Sequence, residues 1–475
     1  MTAEFTFTDV RLVDPAADRD EVTNVTVAGG IVTATDRSSA GLRIDCAGLV
    51  LAPGLVDLHV HLREPGREDA ETVASGTAAA AMGGFTAVCP MANTDPVTDH
   101  AGVVEQVLRL AREAGHCEVF PVGAVTRGLA GEELAEMGAM AALGVRCFSD
   151  DGMPVRSAQV MRRALEYAKT WDAIICNHAE EPTLTGGAEM NEGQLSTLLG
   201  LAGWPREAEE IMIARDLLLA HGLNARLHVP HVSTAGSVAL LRQAKLRGTR
   251  VTAEAAPHHF TLTEELVRTY DPVYRVNPPL RTRSDVEAVR AGLADGTLDA
   301  IATDHAPHPP EQKDQEWSQA PNGMLGLETA LALTLTELVG DEDAGSVLSM
   351  KQAIAALSTN PARSRDIGGH GGPVEPGAPA NLVLFDPAAR WTVDDRALQS
   401  RSRNTPYAGM QLRGRVIHTL LRGRFTVRDG ALAPRDAAEA DRMPSRDAAE
   451  ADGLQSRDAG EADGLQSLDA VEVTP

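Results

Sequence analysis

The sequence has few aromatic residues, few cysteines and no long apolar run, and each shortage excludes a class of protein. Aromatic residues make up only 3% of the 475 residues, so a large core must be built from Ala, Val, Leu and Ile. The five cysteines are widely spaced and form no CxxC motif, which is typical of reduced thiols in a cytoplasmic protein. No apolar run approaches the roughly 20 residues of a membrane span, and the acidic N-terminus does not resemble a signal peptide.

Positive charge is also scarce. The chain has 43 Lys and Arg against 67 Asp and Glu, a formal net charge of −24. Such an acidic chain is not expected to bind nucleic acid or an anionic membrane. An anionic substrate would therefore need a locally positive site, such as a metal ion or an arginine.

The order of the predicted elements indicates a large α/β barrel. In residues 1 to about 50, apolar and polar residues alternate in short runs, which predicts short strands. Beyond them, apolar strand-like runs alternate with helical runs, one of which is 131–144. The strand-like runs are 55–60, 85–90, 118–123, 145–150, 173–178, 226–231, 251–256 and 299–304. Eight such units are the number in a (β/α)8 barrel. A doubly wound open sheet is the alternative, although the chain has no GxGxxG turn.

The chain after the eighth strand returns to a β-like pattern. Residues 305–322 are Pro-rich and predict a long loop with the position of a lid. Helical runs follow, including LETALALTLTELVG, and the pattern is β-like again from about residue 373 to 430. We therefore predict an α/β fold in which a TIM-type barrel (53–372) is joined by a small β-sandwich domain built from both chain ends, which are 1–52 and 373–432.

Residues 433–475 have a different composition. They contain three copies of an 11-residue repeat, one of which is RDAAEADGLQS, and from residue 435 onward they carry 11 acidic residues and four arginines. A repeat with so few large apolar residues cannot bury a core, so the composition predicts a disordered acidic tail.

Residues that can bind metal follow most of the predicted barrel strands. The carboxyl ends of all barrel strands meet on one face, which holds the active site. His59 and His61 share one side of a strand, and imidazole is the commonest metal ligand. The predicted metal-binding residues are His59, His61, Asp151, His178, His231 and Asp304, with Asp150 as a competitor of Asp151.

Six ligands indicate two metal ions rather than one. A single catalytic zinc normally has three protein ligands and an open position. Two ions about 3.5–4 Å apart can share a carboxylate and a bridging hydroxide, which is then a nucleophile near neutral pH. Asp304 beside it can act as general base and then as general acid. This chemistry is suited to the attack of water on an amide or ester carbonyl, or to the reverse reaction.

Together the motifs resemble a known family. DxHxHxREPG (57–66), PMANTDP (90–96), FSDDG (148–152), NHAE (177–180), HVST (231–234), NPPLR (277–281) and ATDHAPH (302–308) are similar to those of bacterial class I dihydroorotases, within the amidohydrolase superfamily. The resemblance extends to about residue 430. It implies the reversible cyclisation of N-carbamoyl-L-aspartate to L-dihydroorotate and water, a step of de novo pyrimidine (UMP) biosynthesis.

The resemblance also implies a role for each matching residue. One zinc ion would be held by His59 and His61 with Asp304 nearby, a second by His178 and His231, and Asp151 would bridge the two. Arg63, Asn93 and His308 would bind the substrate carboxylate. The full predicted substrate-binding set is His61, Arg63, Asn93, Asn277, His308, Asn322 and Gly323. Many relatives carry Phe at the position of Asn322, so the sequence departs from the family there, and the resemblance implies a backbone contact at Asn322 without extending to its side chain.

Two alternatives stay open at this point. One is another cyclic amidase, such as a hydantoinase or allantoinase. The other is an inactive homologue that scaffolds aspartate transcarbamoylase. Arg63 and Asn93 favour a substrate with its own carboxylate, and no metal ligand is missing. A homodimer and a complex with aspartate transcarbamoylase also stay open. Of the remaining histidines, His228 is expected to be structural and His305 to lie behind the site, while His258 and His259 could line it.

Overall fold

The elements of the fold are given by a computed structural model that describes residues 4–340 and 345–434. Its strands are β1 (Phe5–Asp14), β2 (Arg19–Ala28), β3 (Ile31–Ala34), β4 (Leu42–Asp45), β5 (Val50–Pro53), β6 (Leu55–Val60), β7 (Phe85–Pro90), β8 (Glu118–Val119), β9 (Cys147–Ser149), β10 (Ile174–Cys176), β11 (Met190–Asn191), β12 (Gly203–Trp204), β13 (Arg226–Val229), β14 (Val251–Ala255), β15 (Ala300–Ile301), β16 (Leu382–Thr392), β17 (Gln411–Leu421), β18 (Arg424–Arg428) and β19 (Ala431–Leu432).

Helices separate most of the strands in the middle of the chain. They are α1 (Val73–Met82), α2 (Ala101–Ala114), α3 (Met137–Ala142), α4 (Ala158–Ala168), α5 (Pro182–Thr185), α6 (Gln194–Leu199), α7 (Glu207–Leu223), α8 (Ala235–Leu246), α9 (Pro257–Thr261), α10 (Arg283–Ala294), α11 (Pro310–Lys313), α12 (Ala330–Thr334), α13 (Met350–Ile354) and α14 (Asn360–Ser364). The π-helical turns Leu335–Val339 and Ala355–Thr359 continue α12 and α13.

Eight parallel strands form the barrel. β6, β7 and β8 pair in one group, and β9, β10, β13, β14 and β15 pair in another. Parallel bridges join Gly123 to Phe148 and Val60 to His305, which closes the ring at both junctions. The predicted (β/α)8 barrel is therefore confirmed, and the carboxyl ends of its strands meet on one face.

The two chain ends meet in one mixed sheet, as predicted. Its strands run in the order β19-β18-β17-β16-β5-β1-β2-β3, and β4 pairs with β1. The ends are joined where β16 pairs antiparallel with β5, with Leu382 opposite Pro53. An apolar cluster around Phe7, Leu12 and Leu384 fills this sheet's own core. The predicted domain boundaries at 52/53 and 372/373 stay predictions.

Small side chains allow the helices to lie close to the barrel. In α1, Ala78, Ala79, Ala80 and Ala81 are all buried, and alanine favours helix because it loses no side-chain entropy there. Gly76 of the same helix approaches Leu62 so closely that a Cβ would lie 2.5 Å from the Leu62 side chain. This contact places α1 directly behind the chain that leaves β6, where the candidate site begins.

Two local predictions differ from the structure. The helical pattern of residues 131–144 predicts one helix, but only Met137–Ala142 is helical. The preceding backbone bonds to a neighbouring loop instead, through Ala135 N–H to Val125 O and Arg127 N–H to Glu133 O. The predicted loop 305–322 contains the short helix α11.

The acidic repeat lies outside the described residues. Among the described residues, no helix is both long enough and apolar enough to cross a membrane.

Candidate active site

Five barrel strands deliver the predicted metal-binding residues to one place. His59 lies in β6 and His61 just after it, while Asp151, His178, His231 and Asp304 follow β9, β10, β13 and β15. All six side chains are buried. Because parallel strands end on the same face of the barrel, residues far apart in sequence come within contact distance.

The first group of ligand atoms surrounds one oxygen of Asp151. Its Oδ2 lies 3.3 Å from His59 Nε2 and 3.5 Å from His61 Nε2. Asp304 Oδ1 lies 3.6 Å and 3.4 Å from the same two nitrogens. Two nitrogens and two carboxylate oxygens therefore face a common point.

The second group surrounds the other oxygen of Asp151. Its Oδ1 lies 3.5 Å from His231 Nε2 and 3.6 Å from His178 Nδ1, and these two nitrogens are 3.0 Å apart. One carboxylate thus faces both histidine pairs, one oxygen to each. This is the arrangement of a ligand that bridges two cations.

The spacing of these atoms fits metal ligands. Two atoms that each lie about 2.0–2.1 Å from a tetrahedral zinc ion are about 3.4 Å apart, close to the separations around Asp151 and Asp304. Moreover, His59 Nε2 and Asp151 Oδ1 are buried and have no hydrogen-bond partner among the described residues. Buried polar atoms normally have a partner, and a cation between the groups would supply it.

Electrostatics favour the ionised carboxylates. Burial raises the pKa of Asp151, but His59, His178 and His231 together lower it well below its ordinary value. In the same way His59 and His61 overcome the effect of burial on Asp304 and lower its pKa. Both carboxylates are therefore charged at neutral pH and able to bind cations.

Asp150 has a different environment from its neighbour. Its Oδ1 accepts hydrogen bonds from the backbone N–H of Val125 (2.8 Å) and Thr126 (2.9 Å), and its Oδ2 accepts one from the Thr126 hydroxyl. Burial raises its pKa to about 6. Of the two adjacent aspartates, Asp151 faces the histidines and Asp150 holds the loop after β8.

Two glutamates that sequence reasoning missed orient the histidines. Glu254 Oε1 lies 2.9 Å from His59 Nδ1, and its Oε2 lies 2.9 Å from His228 Nε2. Glu180 Oε2 lies 3.2 Å from His178 Nε2. Because an ionised carboxylate only accepts, the histidine nitrogen facing it carries the proton and the opposite nitrogen is free to bind metal. The available signal was weak: Glu254 is the single acid in the apolar stretch VTAEAA.

The predicted carboxylate-binding residues lie beside the first group. The guanidinium of Arg63 is buried; its Nε donates to Pro307 O (3.2 Å) and one terminal nitrogen lies 3.5 Å from His308 Nε2. His308 Nε2 is 2.8 Å from Asn322 O, so its N–H donates there. Within the described chain, Arg63 forms no ion pair with a carboxylate. Gly323, next to Asn322, packs against His308.

Asn93 and Asn277 lie on the other sides of the ligands. Asn93 Oδ1 is 2.9 Å from His61 Nδ1, and its Nδ2 donates to Asp151 O (3.3 Å). Asn277 Nδ2 donates to Glu180 Oε2 (3.0 Å). Asn93 therefore positions two of the predicted ligands directly, whereas Asn277 holds Glu180, which orients His178.

His258 and His259 are adjacent in sequence but have different surroundings. His258 Nε2 lies 3.9 Å from Asp304 Oδ2 and has no hydrogen-bond partner among the described residues, so it lines the site. His259 Nε2 instead donates to Pro278 O (3.0 Å) and holds the neighbouring loop. Burial lowers the pKa of His258 to about 4, so it is neutral.

Comparisons with known proteins agree with this site. A family model described as dihydro-orotase-like matches residues 48–237. The chain is 56% identical to the dihydroorotase of Streptomyces coelicolor over 417 residues, which cover 87% of this chain and 96% of that relative. It is 51% identical to the dihydroorotase of Mycobacterium tuberculosis over 391 residues, which cover 82% of this chain and 90% of that protein.

Solved structures of cyclic amidases share the architecture. An L-hydantoinase (dihydropyrimidinase) from Arthrobacter aurescens superimposes with a TM-score of 0.82 at 25% identity, covering 90% of this chain and 97% of that one. A dihydropyrimidinase from Brevibacillus agri gives a TM-score of 0.78 at 23% identity, covering 90% and 96%. The fold is thus that of the barrel-containing cyclic amidohydrolases. Given the sequence identity and its extent, the chain belongs to the dihydroorotase family.

Proposed function

We propose that this protein converts N-carbamoyl-L-aspartate reversibly to L-dihydroorotate and water, in the synthesis of pyrimidine nucleotides. The observation that carries the choice of substrate is Arg63, a buried guanidinium without an ion-pair partner among the described residues. A buried charge is costly unless it is paired. A substrate carboxylate at Arg63 and His308 would supply the missing anion.

We further propose that two zinc ions per chain bind at the histidine groups. His59, His61 and Asp304 would hold one ion, His178 and His231 the other, and Asp151 both. The spacing of the ligand atoms and the unpartnered His59 Nε2 support this proposal. When bound, such a pair makes water a nucleophile near neutral pH and polarises the substrate carbonyl.

Asp304 is the proposed proton carrier. Its carboxylate is buried and ionised, it lies 3.4 Å from His61 Nε2, and its charge acts on the guanidinium of Arg63. In ring opening it would take a proton from the attacking water and give it to the ring nitrogen that leaves the carbonyl. In ring closure the same carboxylate would take the proton from the carbamoyl nitrogen and give it to the departing water.

The assay compares L-dihydroorotate with hydantoin, with zinc measured in the same samples. We expect turnover of L-dihydroorotate, and a kcat about 100-fold lower or more in Asp304→Asn, because general acid–base catalysis contributes roughly 10²–10⁴-fold. Zinc content shows whether the variant lost a proton carrier or a ligand. Turnover of hydantoin without turnover of L-dihydroorotate would contradict the proposal and favour the second candidate, a hydantoinase, which the similarity to the Arthrobacter aurescens structure supports.

The partners and the location of the protein stay predictions of the sequence. They are a cytoplasmic location, no binding of nucleic acid or membrane, a possible homodimer and a possible complex with aspartate transcarbamoylase. None of them enters the chemistry proposed for the site.

A further inference from the structure

A segment from outside the barrel crosses beside the proposed substrate pocket. Residues 400–404, here called the strap, belong to the connection between β16 and β17 of the chain-end sheet. Ser400, Ser402 and Asn404 are buried although they are polar. Buried polar side chains require partners, and those of the strap lie in two different barrel loops.

One end of the strap is bonded to the loop that follows β6. The Ser400 hydroxyl and the Arg401 N–H both donate to the carboxylate of Glu71, the latter at 3.0 Å, and the Ser402 hydroxyl donates to Ala70 O at 2.7 Å. Glu71 is fully buried and also lies 3.3 Å from His305 Nε2. The same loop carries Arg63, so the strap helps to hold the loop that presents the guanidinium.

The other end of the strap is bonded to the chain that follows β15. Asn404 Oδ1 accepts from the His308 N–H (3.1 Å), and its Nδ2 donates to Ala306 O (2.9 Å) and Gly323 O (3.1 Å). The Leu325 N–H in turn donates to Asn404 O (3.1 Å). One amide side chain thus spans two backbone segments that are separate in sequence.

The two segments bonded by Asn404 contact each other at His308, in the proposed substrate pocket. His308 Nε2 donates to Asn322 O, and a Cβ on Gly323 would lie only 2.9 Å from the same nitrogen. Such close packing transmits a shift of either segment to the imidazole. The separation that Asn404 sets between the segments is therefore also the separation within the pocket.

We propose that Asn404 is a positioning residue for substrate specificity, which fixes His308, through its own bonds to that segment and through Gly323 packed against the imidazole, at the place where His308 and Arg63 bind the substrate carboxylate. The inference rests on the proposed function, because it assumes that this pocket receives a carboxylate. Asn404 itself does not touch the reacting atoms. Its loss should therefore weaken substrate binding more than it slows the chemical step.

The test compares Asn404→Ala with Asn381→Ala in the full chain. Asn381 is a matched control: it is buried, its Nδ2 donates to Gly369 O (2.8 Å) and its Oδ1 accepts from the Arg422 N–H (2.7 Å), in the chain-end sheet. For Asn404→Ala we expect KM for L-dihydroorotate to rise about tenfold or more, with kcat changed less than about threefold. For Asn381→Ala both constants should stay within about twofold.

Two further variants keep the outcomes distinct. Asn404→Asp has nearly the same shape as the parent residue, keeps the acceptor for the His308 N–H and loses both donated bonds, so it should also raise KM. It replaces Asn404→Ala in the test if that variant does not fold. Arg63→Gln tests the pocket itself. An unchanged KM in Arg63→Gln would overturn the proposed carboxylate pocket. A raised KM in Arg63→Gln, with KM in the Asn404 variants no higher than in Asn381→Ala, would overturn the role of Asn404 alone. A fall in kcat at constant KM in the Asn404 variants would also overturn the proposed role of Asn404.

Discussion

At the scale of single residues, the site depends most on Asp151. Each of its two oxygens faces a different histidine pair, at 3.3–3.6 Å. The neighbouring Asp150 uses its oxygens for the backbone of Val125 and Thr126. The two adjacent aspartates therefore differ in role: Asp151 is the proposed ligand and Asp150 supports a loop. The sequence motif alone does not show which aspartate has which role.

We expect Asp151→Asn and Asp150→Asn to fail in different ways. Asp151→Asn removes the charge shared by both groups and should lower bound zinc from two ions per chain to one or fewer. Asp150→Asn should keep its zinc but unfold at a lower temperature, because it disturbs buried hydrogen bonds worth about 1–3 kcal/mol. Elemental analysis after dialysis, together with thermal unfolding, separates the two. Full zinc content in Asp151→Asn would contradict the bridging role.

Gly323 provides a steric test of the pocket. Its φ is 142°, and a Cβ would lie 2.8 Å from the Ala306 Cβ and 2.9 Å from His308 Nε2. Gly323→Ala should therefore displace the imidazole and raise KM for L-dihydroorotate by about tenfold or more, since overpacking costs about 1–3 kcal/mol. Gly128→Ala is the control, because Gly128 also has a positive φ but open space around it. Equal KM values in the two variants would show that His308 does not respond to its packing.

At this scale the sequence predicted the proposed metal ligands better than the residues that support them. His59 and His61 share a strand face, and the acids and histidines after other strands stand out against apolar runs. Glu254 and Glu180 do not stand out, because one acid in VTAEAA and a pair of acids in NHAEE look like ordinary surface acids. Only the fold brings Glu254 to His59 across 195 positions of sequence.

At the scale of elements, the barrel and the chain-end sheet are joined by ion pairs of the partly buried Glu118. Glu118 at the start of β8 lies 3.0 Å from His370 Nε2 and 2.6 Å from Arg422 Nε, just after β17. Burial raises its pKa, but His370 and Arg422 together lower it to about 2. The ionised form is therefore more stable in the folded protein than in the unfolded chain.

The sign of the pH dependence follows from that shift. Because the pKa of Glu118 is lower in the folded state than its usual 4.5, its contribution is complete above pH 4.5 and is lost as pH falls towards 2. The shift corresponds to roughly 3 kcal/mol at most. Glu118→Gln should lower the free energy of unfolding near pH 6, and the difference from the parent protein should shrink on acidification.

Urea unfolding of both proteins between pH 2.5 and pH 6 measures this effect. Glu166→Gln is the control, since Glu166 forms an exposed pair with Arg162, and such pairs contribute about 0–1 kcal/mol. A difference for Glu118→Gln that stays constant across this pH range would show that the carboxylate is not linked to folding in the way described.

Whole elements were predicted well where apolar runs were long. All eight predicted barrel strands exist, because each reads as an apolar run between helical stretches. The helix predicted over residues 131–144 is too long. The helical pattern is present throughout, but the first half of the segment forms hydrogen bonds to residues 125–127. Such tertiary contacts override local propensity and leave no local pattern.

At the scale of the molecule, the site is assembled by parts that are distant in sequence. Barrel strands from β6 to β15 carry the proposed metal ligands, and the strap between β16 and β17 reaches the loops that carry Arg63 and His308. The sequence predicted that both chain ends would join one sheet. It did not reveal that a connection within that sheet extends to the substrate pocket, because Asn404 lies in a polar stretch without periodicity.

We propose above all that Asp151 unites two histidine pairs into one two-metal site for a carboxylate-bearing substrate. The most direct test is to titrate metal-free protein with Zn²⁺ while following hydrolysis of L-dihydroorotate. We predict that activity rises until two equivalents of zinc are bound per chain. Full activity at one equivalent, or activity that persists in the metal-free protein, would contradict the account.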